Sequence, residues 1–181
     1  GMSQQDFDRL GSSVVALGNN LATTEAEIVE FGLRIAGAGA QVGLSEDQIL
    51  AWGAALSSVG IEAEAGGTAI SRVFVDIANA VANGGDQLDQ FAQVAGMSTS
   101  AFARAFQQDA SAAVVTFVEG LGRLSDEGAN VFGILDDLAL GNIRVRDALL
   151  RASGAGDLLR QSLNLSAEAW EENLALAREA E

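Results

Sequence analysis

Apolar residues return every three or four positions along most of the chain, and nowhere is strict alternation of apolar and polar residues sustained. That spacing matches the 3.6-residue turn of an α-helix rather than the two-residue repeat of a strand. Ile28, Phe31, Ile35 and Val42 share one helical face, as do Ile49, Trp52, Leu56 and Val59. Ile70, Phe74, Ile77 and Val81 make a further stripe. It is followed by Val114, Phe117 or Val118, Leu121 and Leu124, and then by Val131, Leu135 and Leu138. The 181 residues include no proline, the strongest breaker of helices, while helix-favouring Ala, Leu, Glu and Gln abound. The expected fold is therefore all-α: a compact array of about ten short antiparallel helices joined by Gly- or Ser-capped turns, with no β-sheet.

Start and stop signals agree with the stripes. Thr24-Glu25-Ala26-Glu27 and Ser45-Glu46-Asp47-Gln48 have the form of capping boxes, in which the hydroxyl and the third-position side chain each satisfy an orphan amide. Leu44 before Ser45, with Ile49 beyond it, fits a hydrophobic staple. Met97-Ser98 with Phe102, and Leu165-Ser166 with Trp170, have the same form. Gly43, Gly60, Gly84 or Gly85, Gly96, Gly141 and Gly154 follow stripe ends, where a residue at positive φ closes a helix. The helices read as 5–20, 25–42, 46–59, 63–83, 86–95, 99–107, 110–124, 129–140, 143–153, 156–164 and 167–180. Turns of two to five residues between them imply that successive helices fold back on one another. Gly43-Leu44-Ser45 and Gly96-Met97-Ser98 open similar helices, but the segments diverge beyond the cap, as similar caps on unrelated helices would.

Composition narrows the chemistry. The chain has no His, Cys, Tyr or Lys, so zinc sites, thiol catalysis, disulfides, Ser-His-Asp triads, Schiff bases and P-loop lysines all lack a required residue. Ten arginines oppose 25 acidic residues, for a formal charge of −15. Binding a duplex or an anionic membrane needs a concentrated positive field, and here only Arg144 and Arg146 stand close together. No direct nucleic-acid binding is expected. The longest apolar run, Phe31 to Leu44, is interrupted by Arg34 and Gln41 and falls short of the ~18 residues a membrane span requires. Gly1-Met2 reads as a cloning scar and a start residue.

Carboxylates are what remains for acid–base work: Glu62 with Glu64, Asp136 with Asp137, and Glu171 with Glu172. Adjacent helical positions point about 100° apart, so these pairs read as solvated faces rather than as a catalytic couple. Asp86 and Asp89 after Gly84-Gly85 are the nearest approach to a cation loop, and are equally explained as the acidic N-terminus of a helix. Ala65-Gly66-Gly67-Thr68 lacks the preceding strand and the lysine of a phosphate loop. Its glycines, like Gly32, Gly37 and Gly39, instead suit close helix crossings or a bend. Trp52 reads as a core anchor, Trp170 as less buried, and Arg144 with Asp147 as an i,i+3 ion pair. No catalytic, cofactor-binding or metal-ligating residue is assigned.

Four stretches, LGNNLATTEAEIVEF (17–31), GLSEDQILAWGAALSSVGIEAEAGGTAISRVF (43–74), VAGMSTSAFARAF (94–106) and GNIRVRDALLR (141–151), together resemble the core region of phage tail tape measure proteins. Gly60-Ile61-Glu62 and Glu64-Ala65-Gly66-Gly67-Thr68-Ala69 fit that family's "G-[IL]-x-x-E-x-x-G-T-A" centre, and Asn142 between Gly141 and Ile143 departs from its "G-I-R" step. The match runs in order from about residue 8 to 180 and carries no catalytic residue with it. The resemblance implies a non-enzymatic virion component, made in the bacterial cytoplasm and located in the tail. Its role would lie in tail assembly, tail length determination and genome delivery. The implied partners are tail tube proteins, baseplate or tail-tip proteins, assembly chaperones and other copies of itself. The organisation expected is residues 1–7 as scar and frayed start, 8–154 as the helical core domain, and 155–181 as looser helices leading into a longer chain. As a single rod the chain would reach only ~270 Å, so it reads as a folded piece of a longer polypeptide. It would sit at a tail end, or in extended form in the lumen. The competing readings are an envelope-degrading, peptidoglycan hydrolase-like tail domain using paired carboxylates, a gene transfer agent tail component, and a helical adaptor unrelated to phage.

Overall fold

The computed structural model describes residues 3–179, with side chains through Asn173. Among the described residues the secondary structure is ten helices and no strand: α1 (Gln4–Asn20), α2 (Glu25–Gln41), α3 (Glu46–Ser58), α4 (Ala63–Asn83), α5 (Asp86–Ala95), α6 (Thr99–Gln108), α7 (Ala110–Asp126), α8 (Val131–Asp137), α9 (Ile143–Ser153) and α10 (Gly156–Glu179). The all-α expectation holds.

The helices start where polar caps allow it. Thr24 Oγ1 accepts from the Glu27 N–H at 3.2 Å while Glu27 Oε2 accepts from the Thr24 N–H at 3.1 Å. In the second box the Ser45 N–H donates to Gln48 Oε1 at 3.1 Å. Ser98 and Asp109 cap α6 and α7 from their side chains, as do Asn130 and Asn142 at α8 and α9. The ends share one device. Gly43, Gly60, Gly96 and Gly128 take positive φ, and the amide after each returns to the carbonyl five residues back: Leu44 to Gly39, Ile61 to Leu56, Met97 to Ala92 and Ala129 to Leu124.

Three sequence expectations about boundaries need correction. Gly141 and Gly154 do not supply a positive φ. At the end of α8 it is Ala139, with φ 59°, that turns the chain, and the Leu140 N–H bonds to the Leu135 carbonyl. This ends α8 sooner than the 129–140 reading. A Cβ on Gly141 would overlap the carboxylate of Asp136, an exposed side chain that would have to turn aside. The expected break between 164 and 167 is absent: α10 runs through it, and Ser166 is not a cap. Ser166 is fully buried, its hydroxyl donates to the Asp47 carbonyl at 2.8 Å, and its own carbonyl accepts from Ser13 Oγ at 3.0 Å. It ties α10 to α3 and α1. The third staple therefore does not form, and Trp170 lies half-buried within the helix.

Helix α2 lies against α3 and α4, α9 against α4 and α7, and α5 and α6 against α7, while α1 and α10 pair and both lean on α3. The main core joins Phe31, Trp52, Phe74, Phe91, Phe102 and Phe117. Trp52 is the anchor expected, fully buried edge-on to Phe74 (ring centroids 5.4 Å apart), and its indole N–H donates to Ser111 Oγ at 2.8 Å. That bond meets the need of a buried donor that would otherwise be costly. A second, smaller core of Val14, Leu17, Ile28, Leu50 and Ala54 lies under α1.

Glycines set the crossings. A Cβ on Gly66 would meet Ile61 and Phe31, one on Gly67 would meet Arg34, and one on Gly53 would lie 3.1 Å from the Ile28 carbonyl of α2. On the other side of the molecule Gly120 sits under the Val94 carbonyl and Gly122 against the Ser153 carbonyl. Gly39 is tight against Ile49, and Gly32 makes only ordinary contact. Gly37 faces open space, so the close-packing reading fails for that residue.

Candidate functional site

Two of the sequence candidates, the Glu62–Glu64 pair and the Arg144–Asp147 pair, meet at one place. The chain leaves α3, turns at Gly60 and enters α4 through Glu62, which stands at the N-cap without using its side chain there. Glu64 follows in the first turn, and both carboxylates are exposed. Helix α9 packs beside this turn through buried Val145, Ala148, Leu149 and Ala152. Burying that face leaves Arg144, Asp147 and Arg151 on its outer side, where they wall a cleft of about 450 Å³ with Glu62 and Glu64 opposite and Ile61, Ala65 and Ala148 beneath. A second cleft, about 280 Å³, shares Gly60, Ile61 and Glu62 with the first and is walled by Glu27 and Glu30 of α2. The two clefts adjoin at Gly60–Glu62 of the α3–α4 turn and are together termed the trough.

Charge along the trough is graded. Its α2 side carries Glu27 and Glu30, its middle Glu62 and Glu64, and its α9 side Arg144 and Arg151 with Asp147 between them. The ion pairs among the described residues are Arg9–Asp6, Arg72–Asp76 and Arg160–Glu119. The expected Arg144–Asp147 pair is thus not made, and Arg144 faces solvent without a carboxylate partner. Arg151 reaches only the Gly60 carbonyl, at 3.4 Å. Glu27 is held differently. Its carboxylate accepts from the Thr24 amide, from Thr23 Oγ1 at 3.0 Å and from Ser57 Oγ at 3.3 Å, and these bonds, the Thr24 amide foremost, keep its pKa below the usual carboxylate value.

The remaining candidates stay apart. Asp136 and Asp137 are exposed on α8, and Glu171 and Glu172 are exposed on α10. Asp86 and Asp89 sit in the first turn of α5 behind Gly85, and Asp89 accepts from Thr99 Oγ1 at 2.8 Å. Gly66 and Gly67 are buried inside α4, with the Gly66 amide already bonded to the Glu62 carbonyl at 2.8 Å, so this stretch is helix interior and not an anion cradle. No group of acidic residues is arranged to hold a metal ion among those described, and no helix there is long and apolar enough to cross a membrane. What the sequence did not single out is the exposed apolar component. Among the described residues Leu33 on α2 (74% exposed) and Ile143 at the start of α9 (72%) are the most exposed large apolar residues, and Phe132 lies open beneath the Arg146 guanidinium at 4.7 Å. Their periodicity places them off the buried stripes, which was the available signal.

One family model matches this helical chain. The model describes the phage-related minor tail protein and covers residues 1–138, so the chain belongs to that family. It is a component of phage tails, and the matched region takes in α1 through α8 and with them the α2 and α4 walls of the trough. No curated protein and no solved structure matches it.

Proposed function

We propose that this chain is a folded segment of a tail tape measure protein, acting without catalysis through helix-mediated contacts in tail assembly. The observation that carries the reading is the family match over residues 1–138. The ordered run of tape-measure-like motifs, from the LGN opening near Leu17 to the Arg144 helix start, adds the finer identification. Two of those motifs, the Gly60–Ala69 centre and the α9 start, face each other across the trough. That is the arrangement expected if they serve one surface. The partners proposed are tail tube proteins, baseplate or tail-tip proteins, assembly chaperones and further copies of the chain. The proposed location is the virion tail, with synthesis and assembly in the bacterial cytoplasm. On this reading the segment is part of a longer polypeptide whose overall length sets the tube, and it assists genome delivery when that polypeptide leaves the tail.

The test is genetic and structural. In-frame deletions in the intact gene outside this segment shorten the tail in proportion, by about 1.5 Å per residue removed if the deleted part is helical, measured by negative-stain electron microscopy. Tails of constant length across such deletions overturn the tape measure role while leaving family membership intact.

A further inference from the structure

We infer that the trough over the α3–α4 turn is the face on which two copies of this chain pair about a two-fold axis, α2 of each copy lying on α9 of the other. The argument starts from the charge gradient. One half of the face is acidic, with Glu27 and Glu30 of α2, and Glu62 and Glu64 extend that sign to the middle. The other half presents Arg144 and Arg151, with Arg146 alongside on Phe132 and a single acid, Asp147, on the same helix. Helix α9 carries three arginines against that one acid, on a chain whose net charge is −15. A face with opposite signs on its two halves is complementary to itself after a half-turn, which is the condition for a closed, isologous dimer.

The apolar groups fit the same geometry. Leu33, one turn beyond Glu30 on α2 with Val29 beside it, and Ile143, next to Arg144 on α9, are bare to solvent in the single chain. The half-turn that brings Glu30 to Arg144 also brings the Leu33 side of α2 toward the Ile143 end of α9. Exposed Val59 immediately precedes Gly60 of the turn. Apolar side chains at the centre of a patch with arginine and other polar groups at its rim are a common interface arrangement. Net repulsion between two acidic copies acts over longer range and is screened beyond a Debye length of about 8 Å at physiological salt, whereas charges in contact are not. The dimer is therefore strongest at intermediate salt, weakened by net repulsion when salt is low and by loss of the local pairs when it is high.

Charge exchange tests this without relying on any other protein. The chain is followed by sedimentation velocity across a concentration series at several salt concentrations, beside Glu30→Arg, Arg144→Glu and the double variant, with helix content checked by circular dichroism. The wild type forms dimers, and each single reversal weakens them by ~10-fold or more, as close interfacial charges do. An equimolar mixture of the two single variants restores a 1:1 dimer, because each contact then again joins opposite charges, and the double variant restores a homodimer. A wild type that stays monomeric up to about 0.5 mM, a regime that excludes all but millimolar affinity, overturns the proposal. So do single variants that dimerise as the wild type does, or a mixture that remains monomeric. None of these outcomes bears on the tail role.

Discussion

Gly120 has no side chain because the Val94 carbonyl of the neighbouring helix lies where a Cβ would be. Gly120→Ala must push α5 and α7 apart, and overpacking of this kind costs about 1–3 kcal/mol or more. Gly37→Ala meets nothing within 4 Å on an exposed helical turn. There the change recovers helix propensity and stabilises by about 0.5–1 kcal/mol. Urea midpoints of the two variants are expected to move in opposite directions. The pair also shows what is legible at this scale. Glycines within a helical stripe announce that something small is wanted, and Gly66 and Gly67 do lie at a crossing. What stands opposite each glycine belongs to a distant segment, so nothing local distinguished Gly37 from Gly120.

At the scale of the element, helix starts were legible because a cap and its partner lie three residues apart. Thr24→Ala removes the acceptor of the Glu27 amide and costs about 1 kcal/mol. Glu27 adds a dependence on acid. Its folded pKa is depressed, chiefly by the Thr24 amide, so its contribution is fully present above the unfolded value near 4.5 and fades as pH falls through the folded value. Glu27→Gln is expected to flatten the loss of stability below about pH 4.5, as read in denaturant titrations across that range. Helix ends were less legible. Gly43, Gly60 and Gly96 were readable, but Ala139 carries no mark of its left-handed turn, which the Leu140–Leu135 bond imposes. Ala139→Gly relieves that strain and is expected to stabilise by about 1 kcal/mol, checked by thermal melting. Ser166 misled for a related reason: a serine after a leucine and before an aromatic looks like a cap, yet its hydroxyl is taken by α3.

On the scale of the whole molecule, a charge of −15 stands beside three ion pairs among the described residues, so added salt screens more repulsion than attraction. Raising sodium chloride from about 10 to 300 mM, which shortens the screening length several-fold, is expected to raise the melting temperature. A decrease would mean that the few pairs outweigh the net charge. The all-helical class was legible from periodicity alone, since no tertiary contact is needed to tell a 3.6 repeat from a 2.0 repeat. The trough was only half legible. Glu62, Glu64, Arg144 and Asp147 were each marked as charged residues of interest, but as separate local pairs, and it took the packing of α9 beside α4 to bring them to one cleft. The missing Arg144–Asp147 bridge belongs to the same lesson, because i,i+3 spacing permits a pair without enforcing one.

Crossings seated main chain against main chain, as at Gly53, Gly120 and Gly122, have a mechanical consequence. Side-chain contacts can yield by changing rotamer, but a carbonyl lodged over a glycine has no such slack, so two helices joined this way cannot creep past each other. Tension applied to the polypeptide would leave each joint in place until it lets go as a unit. A force–extension trace would then show separate rips, not a smooth stretch.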